Sequence, residues 1–286
     1  MTAAISPPTS ASGTARPGGG PGRSPGSSPL TGAAARTWID RWDRQQQVYM
    51  PDREERFAAL IDAVAAAAGR PDPLVLDLGC GPGSLSFRLL DRLPQASVVA
   101  VDADAVLLAL GRAAAAGRDG LRFADHDLRA TDWAATLDLD RPADAAVSTT
   151  ALHWLGPGEL TRMYAEVATV LRPGGVLLNG DHLADDEQAA PTLVRLGRAL
   201  AEAEEHRQSP GGHAENWTEW WAAALADPAL AREAADRGQR VAGPHHHGSE
   251  SPDLKSHVTA LRSAGFTEIG TLWQRGSNRL LCAVLG

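Results

Sequence analysis

Apolar positions along the chain switch between two periods, and the switches divide it. From Thr37 to Gly69 they recur at helical spacing: Trp38, Ile39 and Trp42 share a face, and after Met50-Pro51 a second helix carries Phe57, Leu60, Ile61 and Val64. Gly69 and Pro71 end it. The pattern then turns to short runs. LVLDLG (74–79), between Pro73 and a glycine cluster, reads as a parallel strand buried on both faces. Further strands follow at 97–102, 121–125, 144–150 and 176–181, separated by helical stretches near 84–93, around Leu107, Leu108 and Leu110, and near 157–171. Such alternation predicts right-handed crossovers and a doubly wound α/β sheet. Residues 183–252 interrupt it with mostly helical sequence. A helix at 253–264 resumes it, and TEIGTLWQ and NRLLCAVL then form a hairpin around Arg275-Gly276-Ser277, so one strand should run antiparallel.

Composition adds limits to that pattern. Residues 1–35 are dominated by Pro, Gly, Ser, Ala and Thr, with too few large apolar side chains to offset the entropy of ordering, so a disordered arm is expected. The balance of 27 Lys+Arg against 35 Asp+Glu, net charge -8, argues against a nucleic-acid partner. No run approaches the roughly 18–20 apolar residues of a membrane span, which argues against a membrane partner. The start MTAAISPPTS has neither a basic nor an apolar signal region, and a cytoplasmic location is expected. Cys80 and Cys282 read as two reduced thiols. Nothing indicates a homo-oligomer.

The strongest chemical signal is Asp77-Leu78-Gly79-Cys80-Gly81-Pro82-Gly83, which closes the first core strand and opens a helix. Glycines permit close backbone approach, and loop amides with a helix N-terminus can receive a ligand at the strand's carboxyl end. A cofactor site follows. The second strand ends in Asp102, where a carboxylate can accept from both ribose hydroxyls. A dinucleotide fingerprint needs glycines at positions one, three and six, but the sixth position from Gly79 is Ser84 and the third glycine is Gly83.

This G-x-G-x-G loop resembles motif I of the class I S-adenosylmethionine-dependent methyltransferases. The resemblance extends across 74–181, through VVAVDAD, FADHDL and LRPGGVLLNGD, and ALHWL is similar to the small-molecule enzymes related to trans-aconitate and malonyl-carrier-protein methyltransferases. It implies a Rossmann-like seven-stranded sheet of order 3-2-1-4-5-7-6 with strand 7 antiparallel. It also implies methyl transfer from S-adenosyl-L-methionine to a small-molecule acceptor, in secondary metabolism. Gly79, Gly81 and Gly83 would contact the methionine portion, with Asp77 acting through its amino group or by shaping the loop. Asp102 would take the ribose diol with Ala103 beside it, and Asp127 the adenine amino group with Leu128 against the ring; Ser148 completes the cofactor set. Asp125, on the same side of an extended strand, competes with Asp127. Two other outcomes stay open: the same cofactor used without methylation, as in an intramolecular cyclisation, or a non-catalytic S-adenosylmethionine-binding protein. The organisation expected is an arm (1–35), cap helices (36–70), a cofactor-binding core (71–182), a helical insertion or lid (183–252), and the last helix and hairpin (253–286).

On the acceptor side, His153 and Trp154 follow strand four and Asp181-His182 closes strand five. Either histidine titrates near neutrality and can act as a base, or can instead cap a helix or bond a loop carbonyl. Trp154 is a candidate acceptor contact. Trp217, Trp220 and Trp221 fall at helical spacing, with Trp217 the candidate pocket residue and core packing the alternative. Trp38, Trp42 and Tyr49 could likewise close over the cofactor, near whose sulfonium an aromatic face would gain cation–π attraction. In Pro244-His245-His246-His247, His246 is a candidate acceptor contact against a solvated loop. No cysteine or paired carboxylate stands at ligand spacing, so no metal is assigned.

Overall fold

The computed structural model describes residues 29–50, 52–208, 215–240 and 252–286. Residues 1–28 of the expected arm, and the run His245-His246-His247, lie outside them. Seven strands form one sheet: β1 (Leu74–Leu78), β2 (Ser97–Asp102), β3 (Leu121–Asp125), β4 (Ala143–Thr149), β5 (Leu171–His182), β6 (Phe266–Arg275) and β7 (Asn278–Leu285). Their order is β3-β2-β1-β4-β5-β7-β6, and β7 runs antiparallel to both neighbours while β1 to β5 pair in parallel. Order and antiparallel strand agree with the resemblance. β1 is buried at every position, which accounts for its unbroken apolar run. β5 starts at Leu171 rather than Val176: Leu171 pairs with Ala143, and pairing resumes at Val176 with Ala145. Pro173-Gly174-Gly175 is therefore an irregularity inside one strand.

The helices are α1 (Gly32–Tyr49), α2 (Arg53–Ala68), α3 (Ser84–Arg92), α4 (Ala105–Ala114), α5 (Pro157–Val170), α6 (Pro191–Gln208), α7 (Trp217–Ala226), α8 (Ala231–Arg240) and α9 (Leu254–Ser263). None among the described residues is long and apolar enough to cross a membrane. α1 begins within the span read as the arm, because Thr31 Oγ1 accepts from the Ala34 amide at 3.2 Å and caps it, and Ala35 is already buried.

Strand alternation gives each face of the sheet its own core. Leu76, Leu78, Val99, Val101 and Leu177 pack against Tyr164 of α5 and Leu261 of α9. On the other face Val75, Val98, Val147 and Leu178 meet Phe57 and Leu60 of α2 and Leu85 and Leu89 of α3. A third cluster joins α1, α4 and α7. In it Trp42 lies 4.9 Å from Trp220 and 5.3 Å from Trp217 between ring centroids, and Trp38 lies edge-on to Trp220 at 5.6 Å. Trp38 Nε1 donates to Asp227 Oδ2 at 2.9 Å, just past α7. Part of the insertion is thus bonded to the amino-terminal cap.

Trp220 is fully buried where these helices meet. Trp220→Ala should cost about 3–5 kcal/mol in urea unfolding. A loss under about 1 kcal/mol would mean that the α1–α7 contact is not integral to the fold.

Candidate functional site

The carboxyl ends of β1, β2, β4 and β5 converge on the glycine loop. Gly79 and Cys80 both donate to the Val101 carbonyl, at 2.8 and 3.0 Å, which folds the loop onto the end of β2. Gly79, Gly81 and Gly83 have φ of 66°, 56° and 89°, a region that disfavours side chains. Space is short as well: an ideal Cβ would stand 2.4 Å from Ala151 Cβ at Gly79 and 2.8 Å from Phe123 Cζ at Gly83. Trp42 borders the same loop, its Cζ2 being 3.7 Å from an ideal Cβ on Gly81.

Asp102 closes this loop from the side. Its Oδ2 accepts from the Gly81 amide and its Oδ1 from the Asp104 amide, each at 2.8 Å. Ala103 lies between the acceptor and the second donor. Burial still pushes the Asp102 carboxyl up to about 6. Asp77, fully buried, accepts from Ser86 Oγ at 2.6 Å through Oδ2, while Oδ1 has no partner; burial pushes it up to about 7. Asp127 is clamped by Arg129, whose Nε and Nη2 reach its two oxygens at 2.9–3.1 Å. Burial works to raise its pKa, but the Arg129 bonds outweigh it and hold the carboxyl low. Leu128 is half-buried against the core. The Ser148 hydroxyl donates to the Leu78 carbonyl at 2.8 Å, which commits it to joining β4 to β1.

The acceptor-side candidates separate by strand parity. Asp181 is buried and both its oxygens lie 3.0 Å from His153 Nδ1. Burial works to raise its pKa, but the bond and charge of His153, with Arg56, carry it below the usual carboxylate range. For His153 burial works downward, and the Asp181 bond and charge outweigh it and raise the pKa. His182, the next residue on β5, takes the other side, with Nδ1 3.5 Å from Ser277 Oγ. Desolvation lowers its pKa, with Arg56 and His153 adding to the effect. Trp154 is 40% exposed and sits 5.0 Å from the His153 ring. Trp217, 39% exposed, leans on Trp42, and its amide donates to Tyr49 Oη at 3.3 Å.

Sequence reasoning missed the Asp181–His153 pair, although both residues were at hand. The signal was the 4-5 neighbour order combined with parity along β5, which sets Asp181 and His182 on opposite sides. An imidazole held at Nδ1 by a buried carboxylate has a fixed tautomer and presents Nε2 as its basic atom. Among the described residues no group of three or more His, Cys, Asp or Glu could hold a metal.

Comparison with known proteins supports the same core. Residues 75–175 match a family described as a methyltransferase domain. A trans-aconitate 2-methyltransferase of Azoarcus sp. (strain BH72) is 38% identical over 168 residues, 56% of this chain and 61% of that protein. A namesake from Deinococcus radiodurans is 35% identical over 146 residues, 49% of this chain and 51% of that protein. The chain thus spans roughly half to three fifths of the lengths of these relatives. The structure of magnesium protoporphyrin IX methyltransferase from Synechocystis PCC 6803 with bound SAH shares the fold, with TM-score 0.51 and 18% identity, covering 87% of this chain and 94% of that one.

The two raised carboxyls set a pH dependence. A folded-state pKa above the ordinary 3.8 contributes stability in full at low pH and loses it as pH rises through about 6 and about 7. The ligand-free protein should therefore melt lower at about pH 8 than at about pH 5, and Asp77→Asn should flatten that slope. Calorimetric melts check it; equal slopes in both proteins would refute the Asp77 assignment.

Proposed function

We infer, from a core that over residues 75–175 is a class I S-adenosylmethionine-dependent methyltransferase domain, that the chain transfers a methyl group to an ionisable oxygen of a small molecule. The buried Asp181 holding His153 at the carboxyl ends of β4 and β5 carries this reading. Trans-aconitate, the small organic anion in the relatives' names, is the first acceptor to try.

S-adenosylmethionine is the cofactor, and the residues present fit it. Asp77 Oδ1 is a buried acceptor without a partner beside a loop whose Gly79 leaves no room for a side chain, which suits an ammonium group brought against the loop. Asp102 uses one bond per oxygen on backbone amides, and each oxygen keeps a lone pair for a ribose hydroxyl. Gly81 and Gly83 shape the loop around the methionine portion, and Leu128 offers an apolar surface to the adenine. Asp127 accepts the adenine amino group alongside Arg129. When bound, the cofactor supplies an electrophilic methyl on a sulfonium, which leaves as a neutral thioether.

The chain's own residues do the rest. With a hydroxyl acceptor His153 takes the proton at Nε2 and Asp181 offsets the imidazolium that results, whereas a carboxylate acceptor such as trans-aconitate is already ionised and needs from His153 only a place beside it. Trp154, Trp217 and Tyr49 border the acceptor and exclude water, while His182 orients it from the far side of β5. Alignment of the two reactants contributes on the order of 7–11 kcal/mol, more than the base does.

Trideuteromethyl donor offered with trans-aconitate and a panel of small phenols and hydroxy acids should label one class of acceptor. With a hydroxyl acceptor His153→Ala should lower kcat by about 10²–10⁴ with cofactor affinity unchanged, whereas Asp102→Ala should weaken cofactor binding in calorimetry by at least about tenfold. Tight cofactor binding with no label in any acceptor would overturn methyl transfer, and undiminished binding by Asp102→Ala would overturn the cofactor assignment.

A further inference from the structure

Among the described residues the buried arginines have carboxylate partners, with one exception. Arg53 reaches Asp43 at 3.0 Å and Arg279 reaches Asp185 at 2.9 Å. Arg56, on the apolar face of α2 beside Phe57 and Leu60, is 0% exposed. Its Nη1 donates to Asn278 Oδ1 at 2.5 Å, and Nη2 donates to Thr149 Oγ1 at 2.7 Å and meets Met50 Sδ at 3.4 Å. All three are neutral, Nε has no acceptor, and no carboxylate among the described residues lies within ion-pair distance.

The fold makes room for this cation at one place. An ideal Cβ on Gly180 would stand 2.9 Å from Arg56 Nε and 3.4 Å from Cζ, so the arginine packs against β5 where a side chain would force it to shift. Gly180 adjoins Asp181, and Thr149 ends β4, four positions before His153. The charged groups acting on Arg56 are Asp52 and Arg53 of α2 and Asp181 of β5; it acts in turn on His153 and His182. Asp181 is already engaged by His153. A buried ion without a close partner costs several kcal/mol, and an anion brought near it recovers part of that cost.

We propose that Arg56 is a positioning residue that selects an anionic acceptor: its buried charge, without a carboxylate partner, provides the positive field at the ends of β4 and β5 where the acceptor docks. It acts through that field and not by contact. The same charge opposes protonation of His153, although the Asp181 bond and charge still raise its pKa. This rests on the acceptor site proposed above, and adds to it the sign of the charge that the site prefers.

The test needs no knowledge of the natural acceptor. The His153 ring proton is titrated by NMR in the unliganded wild type, Arg56→Lys and Arg56→Gln, and trans-aconitate binding is measured beside its uncharged trimethyl ester. Removal of the charge in Arg56→Gln should raise the His153 pKa by about half a unit and weaken trans-aconitate binding at least about tenfold; Arg56→Lys should stay close to wild type in both. An unchanged titration and affinity in a folded Arg56→Gln overturns the proposal. Should that variant not fold, the wild type decides: a trimethyl ester that binds as tightly as the anion also overturns it. Failure of methyl transfer leaves the titration intact as a measurement, so the two inferences fail separately.

Discussion

A carboxylate held by backbone amides organises the working end of the sheet. Asp102 accepts from Gly81 in the first loop and from Asp104 at the start of α4, so one side chain fixes two strand-to-helix turns against each other. The chain of contacts continues. Asp104 caps α4 through the Val106 and Leu107 amides, its second oxygen takes Arg237 of α8 at 2.6 Å, and Arg237 lies 4.0 Å over the Trp221 ring. Trp221 faces Trp42, which borders Gly81. Cofactor loop, α4, insertion and amino-terminal cap are therefore joined through a closed ring of contacts. Because the first link uses amide dipoles and not a cation, the Asp102 charge is only partly offset, which leaves it able to gain from further donors.

What could be read from the sequence depended on the range over which each requirement acts. Strand β1 had to be apolar because both its faces are covered, and Gly79 had to be glycine because φ is positive and Ala151 is close; both demands are local and leave their mark in the residue itself. The order of strands followed from the resemblance. Partner choice was not legible in the same way. The letters alone did not show that Asp127 is clamped by Arg129, that Ser148 donates to the Leu78 carbonyl, or, without the strand order, that Asp181 rather than His182 stands with His153. The last two depend on register and parity across elements distant in sequence. Arg56 was hidden for another reason: an arginine on an apolar helix face reads as a snorkelling surface residue until the strands it lies on are known.

Three carboxylates at the ends of β1, β2 and β5 show how partners divide a site. Asp181 has an imidazole and is held below the usual range, Asp77 has a single hydroxyl and is raised furthest, and Asp102 has amides and lies between. The two with raised values stand at β1 and β2, and the engaged one at β5. On the reading proposed above, the cofactor half gains from a cation, and the acceptor half, with Arg56 beneath it, gains from an anion. In the proposed reaction these two charges annihilate as the methyl moves. Fields that stabilise them separately favour the bound reactants more than the transition state, so they act on binding and not on the chemical step. The rate must then come from what the same residues do geometrically. A glycine-rich loop, a tryptophan cap beside it, and an imidazole of fixed tautomer leave the reacting atoms few wrong arrangements, and alignment is the larger contribution for a displacement of this kind.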